Sequence, residues 1–218
     1  MIKIVIACIL ILIVAYIIIQ YNTTKVYSYS ETPIIIRDFI HKKDIEYIKK
    51  NSIHFEKSTT IIDKEGDEDK NRKSYTCWLN HDTTIKRIIQ KGCKITNSPL
   101  ENCEKLQVVK YEPGGFYREH YDTSYATDEN GLEFVKNGGH RTLTIIITLS
   151  NPNDYEGGET LFTKLNKKYK LNMGDALLFY NVKPNGEQNY YSEHGGLPLL
   201  SGEKMIANIW IRQNKFAF

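Results

Sequence analysis

The sequence predicts a mostly β (α+β) fold of the jelly-roll kind, with flanking N-terminal helices and one transmembrane helix ahead of them. Three observations carry this reading. From residue 104 onward, short segments rich in Val, Ile, Leu, Tyr and Thr recur at 105–111, 116–122, 141–149, 159–163, 167–172, 175–180, 189–194 and 203–212, separated by Gly, Asn, Pro and Asp. Short strands with turn residues between them are the pattern of a sandwich or barrel. Upstream lie two stretches of helical periodicity, and the chain begins with an unbroken apolar run.

That run covers Ile4 to Ile19, IVIACILILIVAYIII. At about 1.5 Å per residue it reaches roughly 24 Å, enough for a thin bilayer core. We read residues 1–19 as an uncleaved signal-anchor. A cleaved signal peptide is the alternative, disfavoured because Tyr16 and Ile17 to Ile19 follow Ala15 with no small-x-small site. A buried core helix fits worse, since the run is apolar all round. A short N-terminal tail before a large C-terminal domain favours a lumenal or external catalytic part. The expectation is a single-pass protein of the endoplasmic reticulum or another secretory or host membrane. Residues 20–32 are polar and aperiodic, a stalk, and 33–218 form the folded domain. The sequon Asn22-Thr23-Thr24 sits too close to the membrane face to be modified.

Within the domain, PIII at 33–36 predicts a strand leading into a helix over 41–51, where Ile45, Tyr47 and Ile48 make a partial stripe among lysines. Residues 57–73 are highly charged around one Gly, an exposed loop or hairpin. A second helix is expected over 82–91, with Asp82 as N-cap, Ile85, Ile88 and Ile89 on one face, and Gly92 ending it. Both helices would pack on the outside of one sheet. The longest loop of the strand-rich half is 123–139, a length usually functional or disordered.

Composition excludes more than it selects. Of 29 basic residues one, Lys3, precedes the apolar run, leaving 28 against 26 acidic ones in an interleaved pattern. That gives no electrostatic footprint for nucleic acid. Cys8 lies in the apolar run, which leaves Cys77, Cys93 and Cys103 outside it. At most one intrachain bridge is possible there, with Cys93–Cys103 nearest in sequence, and three unbridged thiols are the equal alternative. No C-x-x-C occurs, which disfavours a redox dithiol or zinc ribbon.

The chemistry concentrates around His120-Tyr121-Asp122, in GGFYREHYDTS. In a strand, residues i and i+2 point to the same face, so imidazole and carboxylate can converge on one ion. An H-x-D pair alone is weak, because short motifs arise by chance. His54-Phe55-Glu56 has the same spacing and no downstream partner. His120 and Asp122 instead lie in the strand-rich half and are followed by His194 in YYSEHGG. Two imidazoles and one carboxylate on one face of a six-coordinate iron(II) leave open positions for a bidentate co-substrate and dioxygen. Zinc more often recruits Cys or a third His, and calcium more oxygens. His41, His81 and His140 read as surface or loop residues. Lys204 stands ten residues after His194, beyond a turn at GGLPLLSG, and the two are expected on consecutive strands facing one cavity. A buried ammonium there needs an anion; an exposed strand lysine is the commoner fate.

These segments resemble a known family. LENCEKLQVVKYEPGGFYREHYD, GGHRTLTIIITLSNPNDYEGGETLF, NMGDALLFYN and SEHGGLPLLSGEKMIANIWIR are similar, in order and spacing, to prolyl 4-hydroxylases of the collagen type. RKSYTCWL at 72–79 resembles that family's R-x-S-x-x-x-W/F-L segment, and the likeness covers roughly residues 33–218. It implies a double-stranded β-helix and an iron(II)- and 2-oxoglutarate-dependent dioxygenase acting on peptidyl-proline, with dioxygen as co-substrate and ascorbate as a further cofactor. It implies His120, Asp122 and His194 as iron ligands, and Lys204, Tyr111, Thr160 and Trp210 around 2-oxoglutarate. Tyr117, Arg141 and Arg212 fall at substrate-lining positions. The alternative for Tyr111 and Trp210 is ordinary strand aromatics in the core, and for Arg141 a simple pairing with a surface carboxylate. Lysine rather than arginine at position 204 resembles the collagen type more than oxygen-sensing or lysyl relatives. Arg212 departs from the family's usual His, which puts peptide preference in question more than chemistry. A related oxygenase acting on lysine or another residue, or a catalytically silent jelly-roll binding module, are the competing readings.

Overall fold

A computed structural model of the chain describes residues 25–60 and 70–217. The expected membrane anchor at 1–19 lies outside the described residues; among those described, no helix is long and apolar enough to cross a membrane.

The two helices form where the periodicity places them. Helix α1 (Lys42–Asn51) buries Ile45 and Ile48, and α2 (Thr83–Thr96) buries Ile85, Ile88, Ile89, Gly92, Cys93 and Ile95. Asp82 caps α2 as expected, its Oδ1 accepting from the backbone N–H of Thr84 and Ile85, both at 2.9 Å; such a cap contributes about 1 kcal/mol. Gly92 does not end the helix. It sits mid-helix where a Cβ would lie 2.9 Å from Ile145 Cδ1, so its smallness lets α2 approach the sheet. The helix ends at Asn97, in the left-handed conformation with φ 51°.

The strands make two facing sheets. The larger has seven strands: β1 (Ile34–Ile36), β11 (Ala176–Tyr180), β7 (Arg141–Thr148), β14 (Lys204–Arg212), β5 (Leu106–Tyr111), β4 (Tyr75–Leu79) and β2 (Glu56–Lys57), in that spatial order. The smaller has five: β10 (Lys167–Tyr169), β9 (Thr160–Phe162), β12 (His194–Gly196), β6 (Phe116–His120) and β3 (Arg72–Lys73). A two-stranded ribbon of β8 (Tyr155–Gly157) and β13 (Leu199–Gly202) completes a mostly β, jelly-roll-like core.

Alternation divides the large sheet into two faces. Leu106 and Val108 of β5, Leu143, Ile145 and Ile147 of β7, and Met205, Ala207, Ile209 and Ile211 of β14 pack against α1 and α2 in one core. Val109, Ile146, Leu177, Phe179 and Ile206 turn the other way and join Phe162 of β9 in a second core between the sheets.

Three other expectations change. Residues 189–194 are not a strand: Tyr190–Ser192 form a 3-10 turn, and the strand begins at His194. The turn forms because Asn189 binds its own backbone two residues on, accepting from the Tyr191 N–H at 3.1 Å. The long loop at 123–139 contains helix α3 (Glu129–Lys136), started by Asp128, whose side chain accepts from Gly131 N. The stretch expected as a stalk is docked over its described part. Tyr27 N donates to Ile95 O, Tyr180 Oη to Tyr27 O, and Tyr29 packs edge-on against Tyr180.

Candidate active site

His120 and His194 meet because β6 and β12 are neighbours and pair these two residues directly in register. Their rings lie 4.4 Å apart. Asp122 follows just beyond β6. Its Oδ1 is 3.5 Å from His120 Nε2 and its Oδ2 3.9 Å from His194 Nε2, and one ligand atom from each residue falls within 4.8 Å of the others. Each Nδ1 is engaged by a backbone carbonyl, Arg118 O at 2.8 Å for His120 and Ser192 O at 2.9 Å for His194. Those bonds orient both Nε2 atoms inward, the arrangement a metal-binding imidazole needs.

Aromatic packing fixes the ring planes. Tyr117 stacks on His120 at 3.6 Å between centroids, and Phe162 and Phe179 flank His194. Burial first, and then neighbouring His120, push His194 down to about 4, so its imidazole is neutral and free to ligate at neutral pH. Burial alone would raise Asp122; the facing His194 and His120 outweigh it and hold the carboxyl well below the usual carboxylate range. Asp122 Oδ2 accepts from Thr144 Oγ1 at 2.6 Å and from Trp210 Nε1 at 3.0 Å. Two donors on Oδ2 leave Oδ1 for a cation. Two imidazoles and one ionised carboxylate fit iron(II) with open positions.

These ligands open into a cavity of about 740 Å³ between the sheets, within the range of small-ligand sites. At its inner end Lys204 and Tyr111 are paired across β14 and β5. Lys204 is buried, with Nζ donating to Gly158 O at 2.6 Å and lying 5.2 Å from the Tyr111 ring centroid. Burial pushes its ammonium down to about 8, so it remains mostly charged at neutral pH. Gly158 has φ +66°, and a Cβ there would press on Leu199 and on the Lys204 stem; glycine lets the carbonyl reach the ammonium. Thr160 enters from β9, opposite Gly196, and Gly196 in turn lies against the Tyr111 hydroxyl. An ammonium, a phenol and a threonine converging in an apolar recess bounded by Ile146 and Ile206 suit one carboxylate of a dicarboxylic acid. His194 and Lys204 do face one cavity, though not from consecutive strands: β13 intervenes, and they belong to opposite sheets.

The outer end is wider and more polar. Trp78, 46% exposed, leans on Trp210, and Arg72 lies over the Tyr117 ring at 4.5 Å. Burial pushes the Tyr117 hydroxyl up to about 12, so it stays protonated. Arg141 lies 3.5 Å above the Trp210 ring and grips Glu104 through Nε and Nη2 at 2.6 and 2.8 Å. Arg212 shares Glu104 through Nε at 2.7 Å, and its Nη1 donates to Phe134 O and Gly139 O at the end of α3. Both arginines line the cavity, yet most of their donors hold protein groups.

All ten residues singled out by sequence thus line one cavity. Sequence reasoning missed Thr144, which Asn181 Nδ2 supports at 2.9 Å; Glu104; and the Asn208–Gln107 amide pair at 2.9 Å on the cavity side. A signal existed for two of them. Thr144 breaks the apolar run of β7, and Asn208 interrupts that of β14, on the inward parity.

Fold and site together define the class, a 2-oxoglutarate–iron(II) oxygenase fold carrying that class's metal triad. The sequence profile described as the 2OG-Fe(II) oxygenase superfamily matches residues 106–212. Prolyl 4-hydroxylase 1 of Arabidopsis thaliana is 35% identical over 209 residues, spanning 87% of this chain and 71% of the plant protein. A protein of Acanthamoeba polyphaga mimivirus, named provisionally as a prolyl 4-hydroxylase, is 41% identical over 152 residues; the match spans 68% of this chain and 62% of the mimivirus protein. Among solved structures, the 2OG complex of the viral collagen prolyl hydroxylase from Paramecium Bursaria Chlorella virus-1 superposes with a TM-score of 0.64 at 30% identity, covering 83% of this chain and 95% of that one. The chain belongs to the prolyl 4-hydroxylase family of the 2OG-Fe(II) oxygenases.

Proposed function

We propose that this protein hydroxylates C4 of proline in a peptide or protein substrate, using iron(II), 2-oxoglutarate and dioxygen. The observation that carries the reading is the convergence of His120, Asp122 and His194 with buried Lys204 in one cavity between the sheets. The bound metal and co-substrate supply the oxidising chemistry, coupling decarboxylation of 2-oxoglutarate to succinate and carbon dioxide with insertion of one oxygen into the peptide.

The chain's own residues supply placement. His120, Asp122 and His194 would hold the iron, with Thr144 and Trp210 fixing the carboxylate. Lys204 pairs with the distal carboxylate of 2-oxoglutarate, and Tyr111 and Thr160 add hydrogen bonds to it. Exposed Trp78 offers a flat face to a proline ring. Tyr117 and Trp210, already covered by His120 and Arg72 and by Arg141, bound the peptide pocket, and Arg141 sits where it can meet a peptide carbonyl. Helix α3, held by Arg212 and by the exchange between Asn137 and Ala217, walls the outer cavity and restricts water.

A membrane address is part of the proposal. The apolar run at 4–19 supports a single-pass protein with this domain on the lumenal side of the endoplasmic reticulum or another secretory or host membrane. The test is a proline-peptide library incubated with iron(II), 2-oxoglutarate and ascorbate in air, with succinate measured and the new oxygen located by mass spectrometry. Peptide-dependent succinate with oxygen on proline C4 is expected. Oxygen on lysine or another residue would replace the substrate reading, and no 2-oxoglutarate turnover with any peptide would favour a silent binding module.

A further inference from the structure

We propose that Cys93 and Cys103 form a disulfide that staples the last turns of α2 to the entry of β5. The two sulfurs lie 3.3 Å apart, with both side chains buried. A disulfide bond is about 2.0 Å long, so closure needs the sulfurs to approach by little more than about 1 Å. Small side-chain rotations can deliver that.

Contacts independent of sulfur hold the two backbones side by side. Cys93 O accepts from Ser98 N at 2.9 Å and from the Asn97 N–H that caps the helix. Cys103 N donates to Leu100 O at 3.1 Å, and Cys103 is bridged to Ile211 of β14. The fold therefore presents the pair whether or not the bond is made. Burial makes the pairing selective. Cys77 faces the same helix-side core, but the sulfur contact joins Cys93 to Cys103.

The step balances as two thiol–disulfide exchanges with an oxidant of the disulfide class, such as oxidised glutathione or a dithiol oxidase. Cys93, the less enclosed of the two, loses its proton and attacks the oxidant's disulfide, releasing one reduced thiol. Cys103 then loses its proton and attacks the Cys93 sulfur of the mixed disulfide, releasing the second. The protein gives up two protons and two electrons, and the oxidant is reduced to two thiols. Because the folded domain nearly encloses both sulfurs, the bond forms while the chain folds.

The staple sits at a junction. Tyr27 docks on Ile95, two residues beyond Cys93, and Glu104, next to Cys103, holds Arg141 and Arg212. The bond thus ties the helical layer to the strand entry that anchors the arginines of the outer cavity. The inference rests on sulfur geometry and stands apart from the hydroxylase reading.

The test refolds the full chain from its reduced, unfolded state in a glutathione redox buffer, then unfolds, alkylates and maps it by mass spectrometry. A peptide linked between Cys93 and Cys103 is expected, with Cys8 and Cys77 alkylated. The oxidised protein should melt roughly 4–10 °C above the same protein in dithiothreitol, and Cys93→Ser should remove that difference. Alkylation of both Cys93 and Cys103, linkage of either to Cys77, or equal melting with and without reductant would overturn the proposal. Should Cys93→Ser fail to fold, the map of the unaltered chain decides alone.

Discussion

The two faces of the seven-stranded sheet are built from the same strands yet do opposite work, and β14 shows both in nine consecutive buried residues. Met205, Ala207, Ile209 and Ile211 meet the helices and need nothing but packing. Lys204, Asn208, Trp210 and Arg212 look into the cavity, where each buried polar atom needs a partner. Lys204 has Gly158 O, Trp210 has Asp122 and Arg212 has Glu104, while Asn208 donates through Nδ2 to Gln107 and its buried Oδ1 has no protein partner among the described residues. Burial alone therefore does not separate scaffold from site. Parity does, and neighbouring substitutions should give different phenotypes.

The sharpest way to test that separation is to alter the cavity without touching the packing. His120 is only partly buried and adds little to either core. His120→Ala should leave the thermal midpoint nearly unchanged while peptide-dependent succinate falls on the order of 10³-fold or more, several kcal/mol of lost metal assistance. Full turnover in the variant would remove His120 from the ligand set. The converse change is Ile145→Ala on the helix face. Ile145 is fully buried against α2, so denaturant titration should show a loss of about 2–5 kcal/mol. The 2-oxoglutarate requirement of the folded protein should not move, and a large shift would mean the two faces are coupled.

Lys204 gives the next largest effect. Lys204→Ala should weaken 2-oxoglutarate binding about 10–150-fold, the worth of one charged hydrogen bond, with turnover at saturation largely kept. Burial places the ammonium at about 8 in the free protein. Only the charged form pairs with a carboxylate, so affinity should be full below that pH and decline as pH rises through it. The Ala variant should lose this slope, which anaerobic titration at pH 6.5 to 9.5 would show. Equal pH dependence in both proteins would take away the assigned role.

What sequence made legible follows the same parity. Most strand positions were readable because alternation is a local property. The H-x-D spacing marked two ligands, although the strand expected over 116–122 ends at His120 and Asp122 lies beyond it, and the family resemblance supplied Tyr111, Thr160 and Trp210. Three misreadings had local causes that tertiary contacts overrode. Gly92 looked like a terminator, but its missing Cβ serves the approach to Ile145. The stretch 189–194 has strand-like tyrosines, yet the Asn189 turn sets it in a 3-10 conformation. The docked segment from Lys25 has no periodicity because it binds through Tyr27 and Tyr29 singly. Glu104 was illegible for a different reason: its partners, Arg141 and Arg212, are 37 and 108 residues away.

Thr144 tests the comparison at its finest grain, because it lies between Leu143 and Ile145 on β7 and carries its hydroxyl to the opposite face. Its hydroxyl donates to Asp122 Oδ2 and accepts from Asn181 Nδ2, so it orients a ligand without touching the metal position. Thr144→Val keeps the shape and removes both bonds. Trp210 still donates to the same oxygen, so the carboxylate should loosen rather than swing away. Iron(II) affinity should fall about tenfold, the lower end for a group that supports a ligand, and added iron should restore turnover. A purely structural threonine would instead lower stability and leave the iron titration where it was, since its neighbours Leu143 and Ile145 do nothing but pack.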